Sequence, residues 1–447
     1  MDKVAYLQTW GCQMNVHDTE KIAGVLRGEG YSFTNEPEDA ALIILNTCSI
    51  REKAEHKFLS RLGYFKLLKR KRPGLQIAVS GCIAQQEGER FLIDNQYVNF
   101  TFGPQNIVKL PELIRRDKRK AAVGENPALA ETDLPAVRND GTRAWVNIMY
   151  GCNNFCSYCV VPHTRGRERS RPMDSIVNEI RNLSDTGYKE ITLLGQNVNS
   201  YKDPKRSVFN NSSSFPQLLE AVNAIEGIER VRFVTSHPKD LSPELILAIR
   251  DLNKVCEHIH LPLQSGSSKI LSLMNRKYSY AEYLDKVTAL RRHIPDITIT
   301  SDIIAGFPTE TGQDHDETLA ALKEIEFDGV FAFKYSKRRY TRASEMEGQI
   351  GEDVKSDRLK TILELQDVIT DKINRRLKGQ KVEIIVEGES SSDTNHWTGR
   401  TRTNKIVNFT PEQSIKKGML ITVTITNSFR HSLEGRPEGL MPVTKSN

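Results

Sequence analysis

The chain has no long hydrophobic run, few cysteines and no strong excess of charge. None of its apolar stretches approaches the roughly 20 residues that a membrane-spanning helix needs. Its first residues, Met1, Asp2 and Lys3, are not followed by the apolar segment of a secretory signal. We therefore expect no membrane association and a cytoplasmic location. A length of 447 residues with 38% hydrophobic residues predicts a folded chain of about three domains.

The seven cysteines are too few and too unevenly spaced for a disulfide framework in a chain of this size. Clustered thiols are then expected to be metal ligands or catalytic groups. The net charge of +6 says little alone, but basic side chains concentrate at 66–72, 115–120 and 165–171. Any one of these blocks could be a solvated surface. Together they favour a polyanionic partner.

Residues 1–120 alternate between short apolar strands and helical patterns, which predicts a parallel sheet covered by helices. The predicted strands are residues 4–10, 41–45 and 75–79, and the predicted helices are 15–28 and 52–70. Cys12, Cys48 and Cys82 each follow one of these strands. Because the carboxyl ends of parallel strands share one edge of a sheet, we expect the three thiols to converge there.

A second α/β series follows a predicted linker at residues 120–139. Its predicted strands are residues 144–149, 191–194, 231–235, 258–261, 297–302 and 330–335. Six strand-helix units predict a partial (β/α)6 barrel rather than a complete eight-unit one. Residues 201–215 are polar and predict an exposed insertion. A bridging helix at 354–377 leads to alternating strands at 382–386, 406–409 and 420–426, which predict a small all-β barrel.

The cysteines at positions 152, 156 and 159 have the spacing C-x3-C-x2-C and directly follow a predicted strand. Zinc sites usually take four ligands, and only His163 lies near enough to be a fourth. Three thiolates in one loop suit a [4Fe–4S] cluster in which one iron has no protein ligand. At the carboxyl edge of a barrel, that iron would lie where barrel enzymes place their active sites.

This motif resembles that of the radical S-adenosylmethionine superfamily, including the aromatic Tyr158 before the last cysteine. The segments Gly11-Cys12-Gln13-Met14-Asn15, Asn46-Thr47-Cys48 and Ser80-Gly81-Cys82 resemble the N-terminal domain of its methylthiotransferase family. Trp397-Thr398-Gly399-Arg400-Thr401 resembles the RNA-binding TRAM domain of that family. The resemblance implies an N-terminal α/β domain over 1–120, a radical core over 138–372 and a TRAM barrel over 375–445.

Within this family the motifs look most like those of the enzymes that act on tRNA carrying N6-dimethylallyladenosine. The resemblance implies methylthiolation of C2 of N6-isopentenyladenosine next to the anticodon. Two [4Fe–4S] clusters, on Cys12, Cys48 and Cys82 and on Cys152, Cys156 and Cys159, would serve it with two molecules of S-adenosylmethionine, a methyl donor and a radical source. The adenine would have to leave the anticodon-loop stack.

Polar residues at later strand ends are candidate contacts to S-adenosylmethionine, although such residues can also cap the helix that follows. With Tyr158, they are Gln196, Asn197, Ser236, Gln264 and Asp302. Arginines after the cysteine loop and basic residues of the tail are candidate contacts to RNA phosphates. They are Arg165, Arg167, Arg400, Arg402 and Lys405.

Two other functional classes remain open at this point. One is a sibling methylthiotransferase that acts on a ribosomal protein or on threonylcarbamoyladenosine in tRNA. The other is a non-catalytic iron–sulfur protein that binds RNA. Two three-cysteine sets argue against the second, because structural metal sites are normally closed by a fourth ligand. As partners we expect the tRNA anticodon stem-loop and an electron donor protein, and we expect a monomer.

Overall fold

A computed structural model of the chain describes residues 3–48, 52–116, 119–126, 128, 132–138, 140–205, 213–390, 393 and 395–438. The N-terminal domain is a six-stranded, entirely parallel sheet in the order β2-β1-β3-β4-β5-β6. Its strands are β1 (Val4–Thr9), β2 (Ser32–Phe33), β3 (Leu42–Thr47), β4 (Gln76–Gly81), β5 (Phe100–Phe102) and β6 (Lys120–Ala122). Its helices are α1 (Gln13–Gly28), α2 (Glu52–Lys71), α3 (Cys82–Asp94) and α4 (Leu110–Ile114). The predicted parallel sheet is confirmed.

The predicted linker is wrong at its start, because residues 120–122 form β6 and pair with β5. Three residues were too short a strand to stand out from the polar sequence around them. Beyond β6 the chain crosses to the next domain along α1, where the Val137 amide donates to the Glu20 carbonyl at 2.9 Å.

The central domain is an open barrel of six parallel strands. Its strands are β7 (Arg143–Asn147), β10 (Glu190–Leu194), β11 (Arg230–Phe233), β12 (His258–His260), β13 (Thr298–Ala305) and β14 (Gly329–Lys334). They form the sheets β11-β10-β7 and β12-β13-β14, which a parallel bridge from Val231 to Val255 joins. The six predicted strands and the partial barrel are confirmed. The short antiparallel pair β8 (Met149–Tyr150) and β9 (Arg169–Ser170) was not predicted.

Helices cover the outside of this barrel. They are α5 (Val161–Thr164), α6 (Met173–Asp185), α7 (Phe215–Asn223), α8 (Pro243–Asp251), α9 (Ser268–Leu273), α10 (Tyr280–His293), α11 (Gly312–Ile325), α12 (Arg342–Glu345) and α13 (Glu352–Arg375). Along β10, Ile191 and Leu193 are buried against the helices, whereas Glu190 faces inward to Arg232. This alternation is the two-residue period of a strand with one face on the core.

The predicted exposed insertion at 201–215 is wrong at its ends. Tyr201 is fully buried, with its hydroxyl donating to the Arg171 carbonyl at 2.8 Å, and Phe215 is buried as the first residue of α7. Residues 206–212 lie outside the described residues. No helix among the residues that the structure covers is long and apolar enough to cross a membrane.

The C-terminal domain is a closed five-stranded barrel in the order β15-β16-β17-β19-β18, which confirms the predicted all-β barrel. Its strands are β15 (Lys381–Glu389), β16 (Trp397–Thr401), β17 (Ile406–Phe409), β18 (Leu420–Ser428) and β19 (Leu433–Pro437). It lies against the amino ends of the central strands, where Arg230 and Arg232 of β11 donate to backbone carbonyls of β16 and the turn after it. The cysteine loop is at the opposite, carboxyl end.

Candidate active site

Cys12, Cys48 and Cys82 lie together at the carboxyl edge of the N-terminal sheet. They follow β1, β3 and β4, which are adjacent strands. The Cys48 thiol is hydrogen-bonded to the sulfurs of both Cys12 and Cys82. A Cβ atom on Gly11 would lie 2.5 Å from the Cβ of Cys48, which shows how closely the loops approach. The three thiols thus converge as the strand pattern predicts.

The surroundings of this set favour the thiolate form at two positions. The hydrogen bond from Cys48 lowers the pKa of Cys12 to about 5 and that of Cys82 to about 7, against the opposing effect of burial. The Arg165 guanidinium lowers both further. Because Cys48 is the donor in both bonds, its own pKa is raised well above the usual range. The thiolate is the form that binds metals.

Arg165 belongs to this thiol set rather than to an RNA-facing surface, so its sequence-based assignment to RNA is corrected. It is only 5% exposed, and its Nη2 atom donates to Asp18 at 2.8 Å and to Asn15 at 3.0 Å. The Cys12 sulfur lies 3.6 Å from the same Asn15 oxygen. A residue of the central domain therefore reaches into the N-terminal thiol site.

Cys152, Cys156 and Cys159 occupy one loop after β8 at the carboxyl end of the barrel. Gly151 turns this loop with a φ of 72°, and the Cys152 amide donates to the Gly166 carbonyl at 3.2 Å. Ser157 fastens the middle of the loop, donating to Met274 and Leu273 carbonyls at 2.9 and 2.8 Å. Burial raises the pKa of Cys152 to about 11 and that of Cys159 to about 12. Metal binding here must release protons.

Arg276 is a functional candidate that the sequence reasoning missed. It is buried, and its Nη1 atom donates to the Cys156 sulfur at 3.4 Å and to the Tyr158 hydroxyl at 3.3 Å. Its other nitrogens donate to Pro262 and Tyr278. A cation hydrogen-bonded to a thiolate stabilises its charge, and such bonds tune iron–sulfur clusters. Arg276 lies between α9 and α10, so no strand-end or spacing signal marks it.

The two thiol sets lie on facing parts of their domains. Helix α3, which begins at Cys82, contacts α5, which follows Cys159. Arg339 joins the same two domains through an ion pair with Glu87 of α3 at 3.1 Å. Within the described ranges, no group of three His, Cys, Asp or Glu side chains is gathered so that it could hold a single metal ion. Neither set is therefore a formed mononuclear site such as zinc occupies.

Unpartnered buried polar atoms mark a ligand site beside the cysteine loop. Both amide atoms of Gln196 and the Asn197 Oδ1 atom, after β10, have no hydrogen-bond partner among the described residues, nor does the Ser236 hydroxyl after β11. The other amide atom of Asn197 donates to Asp240 at 2.7 Å. Buried polar groups without partners are costly. A polar ligand such as S-adenosylmethionine would satisfy them.

The two remaining candidate contacts to S-adenosylmethionine, Gln264 and Asp302, follow or lie in neighbouring strands, and Asp302 is not at a strand end as predicted. Gln264 is buried after β12 with a φ of 77°. Asp302 lies inside a strand, because β13 continues to Ala305, and its carboxylate is 3.4 Å from His260. His237, next to Ser236, was missed: burial lowers its pKa to about 2, and its Nε2 atom has no partner. Its adjacency to Ser236 was the only signal.

The basic residues expected at RNA fall into two groups. Arg167 is exposed and stacks over Phe155, 4.3 Å from the ring centroid. Three residues of the tail instead face the central domain or their own barrel, which corrects their assignment to phosphates. Arg402 pairs with Glu257 at 2.7 Å, Lys405 with Asp328 at 3.0 Å, and Arg400 with Glu387 at 2.8 Å. Glu257 and Asp328 directly precede β12 and β14, at the amino ends of the central strands, whereas Glu387 lies in β15 of the C-terminal barrel.

Three family models match the chain in this order. They are an uncharacterized protein family, UPF0004, at residues 4–103, the Radical SAM superfamily at 146–322, and the TRAM domain at 375–437. Among solved structures, the radical S-adenosylmethionine methyltransferase TsrM from Kitasatospora setae aligns with a TM-score of 0.57 at 13% identity, covering 77% of each chain. The cobalamin-dependent radical enzyme OxsB aligns with a TM-score of 0.54 at 13% identity, covering 82% of this chain and 56% of that one. At such identities the likeness concerns the fold.

Curated relatives match over nearly the whole length. The tRNA-2-methylthio-N(6)-dimethylallyladenosine synthase of Thermodesulfovibrio yellowstonii is 52% identical over 434 residues, covering 97% of this chain and 98% of that protein. The synthases of Clostridium tetani and Moorella thermoacetica are 48% and 47% identical, with coverages of 96% and 95%, and 96% and 96%, respectively. This chain belongs to the tRNA-2-methylthio-N(6)-dimethylallyladenosine synthase family of radical S-adenosylmethionine enzymes.

Proposed function

We propose that this chain attaches a methylthio group to C2 of N6-dimethylallyladenosine next to the anticodon of tRNA. One observation carries the proposal: each of two sets of three cysteines, on different domains, lies at the carboxyl ends of its domain's parallel strands, and the helices that adjoin the two sets, α3 and α5, are in contact. Each set supplies three ligands where a cubane cluster has four irons, so each would leave one iron for another ligand. When bound, the clusters and two molecules of S-adenosylmethionine supply the one-electron chemistry, the sulfur and the methyl group.

The protein's own residues hold and orient these groups. Cys12, Cys48 and Cys82 would hold one cluster, and Cys152, Cys156 and Cys159 the other. Arg165 and Arg276 place a positive charge beside each set. Gln196, Asn197 and Ser236 offer unpartnered polar atoms to the S-adenosylmethionine, and Tyr158 packs beside the second set. Holding reactants in contact geometry lowers the entropic part of the barrier.

The proposal extends to partners that the fold does not identify. Reduction of a cluster by one electron needs a protein electron donor. We also propose a monomer in the cytoplasm, where tRNA is modified. The TRAM domain supports tRNA as the polyanionic partner.

The decisive experiment analyses tRNA from a strain that lacks the gene for this chain. The 2-methylthio derivative should be absent, with N6-dimethylallyladenosine accumulating, and the wild-type gene should restore it. Complementation with Cys48→Ala or Cys156→Ala should fail. An unchanged level of 2-methylthio adenosine in the deletion strain would exclude the tRNA assignment and favour a ribosomal-protein substrate. The anaerobically reconstituted chain should hold about eight irons, and each variant about four.

A further inference from the structure

Two exposed aromatic residues next to the thiol sets have a backbone conformation that bulky side chains rarely adopt. Phe155 has a φ of 47° and Tyr340 a φ of 67°. A left-handed backbone is unfavourable for a non-glycine residue, because it brings the Cβ atom too close to the following carbonyl oxygen. Such strained positions concentrate at ligand sites, where the surrounding structure holds them.

Both rings are open to solvent at the rim of the site. Phe155 is 38% exposed and Tyr340 is 63% exposed. Each has a nitrogen-rich side chain beside it: Arg167 over Phe155 at 4.3 Å, and the His163 ring 6.1 Å from that of Tyr340. Single exposed aromatics are common on protein surfaces. Exposure, strain and a flat nitrogen-rich neighbour at the same two positions need a further explanation.

The two positions lie at different parts of the candidate site. Phe155 directly precedes Cys156, and its carbonyl accepts from Asn275 at 2.9 Å, which holds the backbone at this position. Tyr340 lies beside His163, four residues after Cys159, and follows Arg339, which pairs with Glu87 of the N-terminal domain. Phe155 thus belongs to the cysteine loop itself, whereas Tyr340 lies next to a residue that contacts the N-terminal domain.

A cleft of about 650 Å³ opens beside the cysteine loop. Side-chain amides, lysines and carboxylates line it, among them Asn153, Asn154, Lys239, Lys277, Glu168 and Asp240. Mixed donors and acceptors of this kind suit the edges of nucleobases better than a purely anionic backbone.

We propose that Phe155 and Tyr340 are stacking platforms for the two bases that flank the target adenine in the anticodon loop. This inference rests on the proposed function. An adenine that leaves its stack deprives both neighbouring bases of a stacking partner. Single-stranded RNA is commonly held by stacking on aromatic rings and on arginine planes. Arg167 on Phe155 extends one platform with a guanidinium plane.

The test uses the full-length, cluster-loaded protein and an anticodon stem-loop RNA containing N6-dimethylallyladenosine. In two versions of the RNA, 2-aminopurine replaces one or the other flanking base, because its fluorescence is quenched by stacking. We expect Phe155→Leu and Tyr340→Leu each to weaken the Kd about tenfold. Each variant should also change the 2-aminopurine quenching at one flanking position and leave the other as in the wild type.

Two variants and an iron count act as controls. Phe155→Trp should retain wild-type affinity and quenching. Phe33→Leu should also bind as the wild type, because Phe33 is an exposed ring under Arg27, at 5.9 Å, on the edge strand β2 away from the site. The iron content of both leucine variants should equal that of the wild type.

Several results would overturn the inference. One is that the leucine variants keep wild-type affinity and quenching. Another is that the leucine variants lose iron, which would mean that the rings help to enclose a cluster instead of stacking on RNA bases. If the wild-type protein and the variants bind and modify the RNA equally well, the stacking role of the two rings is rejected and the proposed function stands. If the wild type neither binds nor modifies it, the proposed function itself fails.

Discussion

Glu20 is a partly buried carboxyl group on α1, next to the domain junction. Burial raises its pKa from 4.5 to about 7, and its Oε2 atom lies 3.0 Å from Nδ1 of His17. Burial also lowers the pKa of His17 well below its usual range. Both side chains therefore favour the neutral form in the folded chain. Lys21, on the same helix, donates to Tyr150 at 2.9 Å, two residues before Cys152.

This shift predicts a pH dependence of stability. The unfolded chain releases the Glu20 proton near pH 4.5 and the folded chain near pH 7. The stabilising contribution of Glu20 is therefore complete below pH 4.5 and is lost as the pH rises to 7. Glu20→Gln, which stays neutral, should gain about 1–3 kcal/mol of unfolding free energy relative to the wild type between pH 5 and pH 8.

Thermal unfolding of the metal-free chain at both pH values checks this prediction. Glu226→Gln serves as the control, because Glu226 is exposed on the loop after α7. Its unfolding midpoint should follow that of the wild type at both pH values. A Glu20→Gln variant whose unfolding midpoint follows that of the wild type at pH 5 and pH 8 would show that Glu20 is ionised in the fold.

At the residue scale, the sequence predicts where the cysteine thiols lie better than it predicts where the charged side chains around them lie. The three N-terminal cysteines follow the ends of strands in one sheet. The strand pattern alone therefore places these cysteines at one edge, whichever domain packs against it. Arg165 looked like a surface residue, because its burial depends on Asp18, about 150 positions earlier in the chain. Arg276 was not predicted for the same reason: its partners Cys156 and Pro262 are brought to it only by the folded barrel.

At the element scale, the cysteine loop depends on Gly151. Its φ of 72° favours glycine, and a Cβ atom there would overlap the backbone carbonyls of Gly166 and Arg167. The Gly166 carbonyl cannot move freely, since it accepts from the Cys152 amide at 3.2 Å. A Gly151→Ala substitution must therefore shift the loop that carries Cys152.

We expect Gly151→Ala to retain about four of about eight irons after reconstitution, those of the N-terminal set. Gly187→Ala is the matched control, because Gly187 also has a positive φ, 95°, but nothing lies within 4 Å of an added Cβ. It should lose roughly 1–2 kcal/mol of stability to backbone strain and keep all its iron. Full iron retention by Gly151→Ala would contradict the role assigned to this turn.

The long, strongly patterned elements were predictable and the short ones were not. The strands of the central barrel are marked either by alternate apolar residues, as in β11, or by a continuous apolar run, as in β14, and the sequence shows both patterns directly. The strands β6, β8 and β9, of two or three residues, are too short for a period to appear. The end of β13 was set three residues too early because Asp302 interrupts its apolar run while facing His260 inside the barrel.

At the scale of the whole molecule, the two outer domains occupy opposite ends of the central barrel. The N-terminal domain meets its carboxyl end, through Arg165 and Arg339, and the TRAM domain closes its amino end. Arg230, only 1% exposed, donates to the carbonyls of Arg400 and Glu383 and to the Glu383 carboxylate. The order of domains could be predicted from motifs. Their docking could not, because it depends on pairs between distant segments.

This docking changes what Arg402 is expected to do. As a phosphate contact, Arg402→Ala would reduce the slope of log K against log salt concentration for tRNA binding by roughly 1. In the structure, however, its guanidinium is engaged by both oxygens of Glu257, at 2.8 and 2.7 Å, and by the Val255 carbonyl at 2.7 Å. We therefore expect the variant to leave the salt slope unchanged and to lower the unfolding free energy by about 1–2 kcal/mol, since the pair is partly exposed.

Equilibrium tRNA binding at several salt concentrations and thermal unfolding measure both effects. Arg250→Ala removes an exposed surface pair with Asp251 on α8. It should leave the salt slope unchanged and alter the unfolding free energy by no more than about 0.5 kcal/mol. Loss of Arg402 also leaves Glu257 without its partner, so Glu257→Gln in the same background should recover part of the stability. A reduced salt slope with unchanged stability would instead mean that Arg402 leaves Glu257 for the RNA, and that the TRAM domain undocks when tRNA binds.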